Sequence, residues 1–377
     1  MQELWDHFRR RQNEMLADIR ALVEMESPSS DKPAVDRLGK VIGEKFAAIG
    51  GRVIFHRARN FGDHLQVDFT GAGGKPIMLL GHFDTVWDMG TLATMPFKLS
   101  GGRVWGPGVL DMKCGIVMML WAIAAVKELH GELPRPVSIL LVTDEEVGSE
   151  SSRAITEGLA RKVAAVLVLE PAQGMQGALK TARKGVGDYT VKVNGVASHS
   201  GVDFEKGQSA IIELSRQILD IARFTDLKRG ITVNPGVIRG GTRTNVIAAE
   251  ASADVDVRIA RMRDAALVER KFRSLRPHNK KCTLEISGGV NRPPMERSAG
   301  IAALFGAAQK LAAEIGWSVE EASTGGGSDG NFTAALGLPT LDGLGGVGEG
   351  AHARNESILI EELPRRTALI AGLLTRI

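Results

Sequence analysis

The chain of 377 residues is poor in cysteine, lacks a long apolar run and carries almost no net charge. Each shortage removes a class of protein. The two cysteines, Cys114 and Cys282, lie far apart and form no CxxC pair. That excludes a disulfide framework and fits a reducing compartment, so a cytoplasmic location is expected. The longest apolar run spans residues 116–126, eleven residues, against the roughly 18 that a membrane-crossing helix needs. No membrane partner is expected. Charges at Glu3, Asp6 and His7 fall where a signal peptide keeps its apolar core. Lys and Arg total 47 against 44 Asp and Glu, a formal net charge of +3. Nothing in that balance calls for a nucleic-acid partner. Hydrophobic residues make up 44% and charged residues 24%, which excludes a disordered chain, a collagen-like fibre and a coiled-coil rod. There is no internal repeat and no low-complexity segment.

Apolar spacing predicts an opening helix with core positions from Leu4 to Val23, broken by Ser27-Pro28, then a helix over residues 32–49. Three short apolar runs come next. Ile77-Met78-Leu79-Leu80 leads into Gly81-His82, the run at 137–142 into Thr143-Asp144-Glu145-Glu146, and Val166-Leu167-Val168-Leu169 into Glu170. Continuous apolar runs suit strands covered on both faces, so the pattern predicts an α/β fold with a mostly parallel central sheet and helices on both sides. An apolar helix starting near Lys113 should be buried. From residue 183 to residue 292 the order becomes strand, helix, strand, strand, helix, strand. That is the βαββαβ order of an inserted α+β, ferredoxin-like domain. Residues 1–182 and 293–377 would then form the two parts of a catalytic domain.

In open α/β sheets, ligands bind beyond the carboxyl ends of the strands. His82 with Asp84, Glu145 with Glu146, and Glu170 all lie at such ends, and Asp111 precedes the buried helix. A lone histidine or glutamate there is usually structural. Gathered around one crevice, however, carboxylates raise one another's pKa, and one or two divalent cations would relieve the repulsion. Imidazole with carboxylate points to zinc or a neighbouring transition metal rather than calcium. Gly325-Gly326-Gly327 lacks the GxGxxG spacing of a dinucleotide site, and no phosphate loop is present.

Seven motifs in order carry a resemblance. They are Gly81-His82-Phe83-Asp84-Thr85-Val86, Gly106-Pro107-Gly108-Val109-Leu110-Asp111, Thr143-Asp144-Glu145-Glu146, Glu170-Pro171, Ala197-Ser198-His199-Ser200-Gly201, Gly325-Gly326-Gly327-Ser328-Asp329 and Gly350-Ala351-His352. Together they resemble the co-catalytic zinc peptidase family that includes glutamate carboxypeptidase, aminoacylase, acetylornithine deacetylase and succinyl-diaminopimelate desuccinylase. The likeness runs almost end to end, and residues 183–292 coincide with that family's lid or dimerisation domain.

The resemblance implies two Zn2+ ions per chain, with Co2+ or Mn2+ as possible substitutes. His82, Asp111 and Glu170 would hold one, and Asp111, Glu146 and His352 the other. Asp84 would orient the His82 ring, and a cis Asp111–Met112 peptide is expected. Glu145 looks like the general base, taking a proton from water and delivering it to the leaving nitrogen. His199 resembles the lid histidine that donates to the oxyanion, often from a partner subunit, which implies a homodimer through the lid. Asn245 and Arg258 resemble substrate-binding lid residues, and Gly326 and Gly327 would meet a substrate carboxylate. Phe83 and Met112 depart from the commoner family residues without touching a ligand. Glu170, together with the stretch of residues 83–105, looks most like the glutamate carboxypeptidase branch. The implied activity is cleavage of an amide bond in a small peptide, releasing an amino acid with a free carboxylate. The alternative is an N-acyl or N-carbamoyl amino acid amidohydrolase with the same metals. A metal-dead scaffold on this fold would have lost a ligand or the base, and none is lost.

Overall fold

The runs Ile77–His82, Val137–Val142 and Ala165–Val168 form adjacent parallel strands. Side chains alternate between the two faces of a strand. Leu79, Ile139, Leu141 and Leu167 enter one apolar core, while Met78, Leu80, Leu140, Val142, Val166 and Val168 enter another. Burial on both faces is why these runs are continuously apolar. The computed structural model describes residues 1–377 and resolves two units. One comprises Met1–Ala182, Arg297–Thr324 and Ser328–Ile377, and the other Arg183–Glu296 with Gly325–Gly327.

The sheet of the first unit runs Arg52–His56, His64–Phe69, Val137–Val142, Ile77–His82, Ala165–Val168, Thr340–Leu341. Its first two joints are antiparallel and the other three parallel. The helix Cys114–His130 connects two of the parallel strands and is buried around nearly its whole circumference, which explains its lack of a polar face. The wider stretch Val109–His130 has the length and hydropathy to cross a bilayer, yet 89% of its apolar window is inside the protein. It is a core helix. The single opening helix expected from spacing is two helices, Gln2–Arg10 and Gln12–Val23, divided at Arg11. The Arg11 guanidinium lies 4.3 Å from the Trp121 ring centre and pairs with Glu14 and Glu128, which gives the break a fixed partner. The next helix, Lys32–Ala48, starts where Asp31 Oδ1 accepts the Ala34 N–H at 2.9 Å.

A small antiparallel sheet in the same unit joins distant segments. Ser357–Leu359 pairs with Arg103–Trp105, and Ser357 lies opposite Trp105. The carboxy-terminal helix Glu362–Arg376 anchors nearby loops through buried Arg366, which donates to the carbonyls of Gly177, Gly343 and Gly345.

The second unit has four antiparallel strands in the order Thr232–Gly240, Glu250–Ile259, Gly185–Asn194, Thr283–Arg292. The helices Ala210–Ala222 and Ala265–Ser274 complete the βαββαβ order. Buried and part-exposed residues alternate along the two central strands, the mark of a sheet covered on one face. Leu214, Ile221, Val268 and Phe272 supply the covering apolar surface.

Gly115 fills the second position of the core helix, where a Cβ would lie 2.4 Å from the Leu169 carbonyl oxygen. Gly115→Ala is expected to lower stability by about 1–3 kcal/mol, read as an earlier midpoint in denaturant unfolding. An unchanged midpoint would mean the contact yields without cost.

Candidate metal centre

The three parallel strands end side by side, so the segments leaving them share one edge of the sheet. His82 closes its strand, Glu145–Val147 forms a turn just after the second, and Glu170 lies two residues past the third. Asp111 comes from the segment Val109–Lys113, where its φ of −115° and ψ of 93° depart from helical values, and the Asp111–Met112 peptide is cis. His352 sits in a loop with φ 62°.

These side chains converge. His82 Nε2 lies 3.1 Å from Asp111 Oδ1 and 3.4 Å from Glu170 Oε1. His352 Nε2 lies 3.4 Å from Asp111 Oδ2 and 3.1 Å from Glu146 Oε2. Asp111 therefore turns one oxygen to His82, which also faces Glu170, and the other to His352, which also faces Glu146. His82, Asp111 and Glu146 each bring one ligand atom within 4.8 Å of the others. Glu146 Oε1 is buried without a hydrogen-bond partner, which leaves an acceptor for a cation. The donor set, two imidazoles with three carboxylates, suits a divalent transition metal.

The electrostatics agree. Burial works against charge on His82, but its hydrogen bonds to Asp111 and Asp84 and the nearby Glu170 raise its pKa well above the usual value. Hydrogen bonds to Asp111 and Glu146 raise that of His352 to about 10. Burial resists ionisation of Asp111, yet the two histidines hold its pKa low, while burial pushes that of Glu146 up. The shifts of both histidines favour protonated imidazoles beside the carboxylates wherever no cation stands between them.

Asp84 is buried beside this cluster. Its backbone carbonyl, rather than its carboxylate, is the nearer partner of His82 Nδ1, at 3.0 Å against 3.4 Å. Its carboxylate Oδ2 accepts from Ser29 Oγ at 2.7 Å and from the Glu146 N–H at 3.3 Å, so Asp84 braces both the His82 and the Glu146 segments. Glu145, half-buried, heads the turn that carries Glu146. Ser151 ties the preceding Asp144 in place, with its N–H and its hydroxyl both donating to Oδ2 at 2.7 Å. Lys113 donates to the Met25 carbonyl at 2.8 Å, and burial lowers its pKa to about 7. Cys114 is buried and its thiol is pushed up to about 12, which makes it inert at neutral pH. His352 also borders a cavity of about 560 Å³ with Val86, Trp87, Thr91, Met95 and Arg354.

The remaining expected residues belong to the second unit. His199 is exposed, and its Nδ1 accepts the Gly201 N–H at 3.1 Å, which leaves the proton of the neutral ring on Nε2. The Asn245 carbonyl accepts the Ser200 N–H at 3.0 Å, so the His199 and Asn245 loops are neighbours. Arg258 forks onto Asp256, with Nε 3.0 Å from both oxygens and Nη2 2.7 Å from Oδ2. The carbonyls of Gly326 and Gly327 accept from Nη1 of buried Arg183 at 3.1 and 2.9 Å. Sequence reasoning missed Ser29, Arg183 and Glu356. None stands in a metal-ligand pattern, and although Arg183 closes the strand Leu179–Arg183, only their long-range contacts give them away.

The chain is similar to known proteins in both sequence and fold. The profile described as peptidase family M20/M25/M40 matches residues 78–376. Carboxypeptidase G2 of Pseudomonas sp. strain RS-16 is 29% identical over 366 residues, which cover 96% of this chain and 88% of its own. The solved structure of the aminopeptidase PepT of Bacillus cereus superposes with a TM-score of 0.78 at 23% identity, over 97% of this chain and 98% of that one. A dinuclear metal-binding peptidase of the M20 family from Bacillus subtilis gives 0.72 at 14% identity, over 97% and 98%. At these identities the two structures speak for the fold alone.

A divalent cation entering the cluster must expel the imidazole protons. Because the His352 pKa is raised to about 10, its proton is present throughout the neutral range. Cation affinity should therefore rise with pH across and above the neutral range as the two imidazoles lose their protons. Titration calorimetry of chelator-treated protein at pH 7.5, in two buffers of different ionisation enthalpy, should show net proton release. Uptake without proton release would contradict the protonated cluster.

Proposed function

The chain belongs to peptidase family M20/M25/M40 and is a metal-dependent hydrolase; from that premise we propose that it is a dinuclear carboxypeptidase. Its reaction is cleavage of the amide bond before a terminal amino acid with a free carboxylate, glutamate or a similar residue. The observation that carries this reading is the division of Asp111 between two histidines, Oδ1 on His82, which also faces Glu170, and Oδ2 on His352, which also faces Glu146. His82, Asp111 and Glu170 would hold one Zn2+ and Asp111, Glu146 and His352 the second, and Co2+ or Mn2+ could substitute. Such ions supply Lewis acidity toward the scissile carbonyl and a lowered pKa for the attacking water. The similarity to carboxypeptidase G2 supports release of a carboxylate-bearing amino acid.

The protein's own groups then have distinct tasks. Asp84 holds the His82 and Glu146 segments together. Glu145 takes the proton of the attacking water and passes it to the leaving nitrogen. His199 donates from Nε2 to the developing oxyanion, a role supported by its tautomer. Arg258, Asn245 and the Gly326–Gly327 backbone would receive the substrate carboxylate. In the free protein Asp256 occupies the guanidinium fork, so the substrate has to displace a carboxylate of the same shape. A homodimer through the second unit is supported by exposed Ile211, Ile212 and Leu219 on one helix and Val237 and Ile238 on the edge strand Thr232–Gly240.

Glu145→Gln is expected to keep its bound metal and to lose at least about a hundredfold in rate. A rate near that of the parent would remove Glu145 from proton transfer. Arg258→Ala should raise KM about tenfold or more for substrates with a free terminal carboxylate and leave amidated analogues unaffected. Rates on dipeptides set beside N-acyl and N-carbamoyl amino acids decide the branch. Faster turnover of the acyl compounds would make the protein an acyl-amino-acid amidohydrolase.

A further inference from the structure

Glu356 lies four residues beyond His352 and is completely buried. Its Oε1 accepts the N–H groups of Leu110 at 2.9 Å and Asp111 at 3.0 Å. Its Oε2 accepts the Gly108 N–H and the Trp87 indole N–H, both at 2.8 Å. All four contacts are donors, so the group serves as a carboxylate with every strong acceptor direction filled. Three of the donors come from the segment that delivers Asp111. That segment is not a regular helix, and Glu356 takes the N–H groups of Leu110 and Asp111 where a helical carbonyl would otherwise be needed.

The other side of the link is short and stiff. Between His352 and Glu356 the loop is closed by Ala353 N–H to Gly350 O at 2.8 Å and Glu356 N–H to Ala353 O at 2.9 Å. The Glu356 carbonyl also accepts the Gly106 N–H at 3.4 Å, and pairing of Ser357 with Trp105 continues the junction. One side chain therefore joins the loop of His352 to the loop of Asp111, which are far apart in the chain.

We propose that Glu356 is a positioning residue that fixes the Asp111 carboxylate relative to His352 and thereby sets the geometry of the cation cluster. It touches neither ligand's metal-facing atoms and acts through the backbone that carries them. The inference rests on the dinuclear reading above.

The test is Co2+ titration of chelator-treated Glu356→Gln beside the parent, followed by visible absorption. The glutamine amide must turn an N–H donor toward N–H donors already there. About tenfold or greater loss of Co2+ affinity and a displaced absorption band, with parent-like circular dichroism, are the expected results. Parent-like affinity and band, even with a lower melting temperature, would overturn the proposal, because an anchor of fold alone moves only stability. If Glu356→Gln does not fold, Glu356→Asp, which keeps the charge on a shorter stem, replaces it. It should bind Co2+ more weakly than the parent, and equal binding would overturn the proposal. A parent protein that takes up no Co2+ would instead overturn the dinuclear reading itself.

Discussion

Crowding several carboxylates at the ends of parallel strands is the constraint on which the rest of the first unit depends. Like charges a few ångströms apart cannot all stay ionised without compensation. Here the compensation is built from two imidazoles, His82 and His352, each within 3.4 Å of the carboxylate oxygens it faces. The strands that bring these groups together are buried on both faces. A close-packed core of this kind does not let the cluster relax by spreading apart. Charge must be matched by protons or by cations, and the fold leaves no third route.

Around that cluster lies a layer of fixed partners. Ser29 and the Glu146 N–H hold Asp84, Ser151 holds Asp144, and Glu356 gathers the Asp111 segment. Apart from the local Ser151–Asp144 contact, these join segments that are distant in the chain, so the cluster is braced without a disulfide. The second unit is arranged differently. Its expected substrate-facing residues, His199, Asn245 and Arg258, stand on a half-covered antiparallel sheet and its loops, and Arg258 is already engaged by Asp256. A ligand at Arg258 would have to compete with an internal ion pair, whereas a cation in the first unit would have to compete with protons.

Much of this architecture is legible in the sequence, because burial on both faces leaves an unmistakable apolar run and burial on one face leaves alternation. The runs ending at His82, Thr143 and Leu169 announce the parallel strands, and the alternation in Gly185–Asn194 and Glu250–Ile259 announces the split βαββαβ unit. Most of the metal-competent residues are visible for the same reason, since His82, Glu145, Glu146 and Glu170 follow strand runs, while Asp111 is marked by its place before the apolar helix. His352 is harder. It lies in a loop with no strand run before it, and only motif resemblance connects it to the others. Glu356, Arg183 and Ser29 leave no periodic trace, because their partners are backbone groups or side chains reached only after folding. The break at Arg11 is hidden too, as apolar spacing continues across it and the stacking on Trp121 comes from a segment more than a hundred residues away.

The order of the chain has a consequence for synthesis. His82, Asp111, Glu146 and Glu170 all precede the second unit, whereas His352 and Glu356 come after it. On the ribosome the acidic members of the pocket emerge first, short of one imidazole and of the brace on Asp111. A stalled nascent chain can thus display an unbalanced acidic edge, but the complete pocket assembles only once the whole inserted unit has been translated.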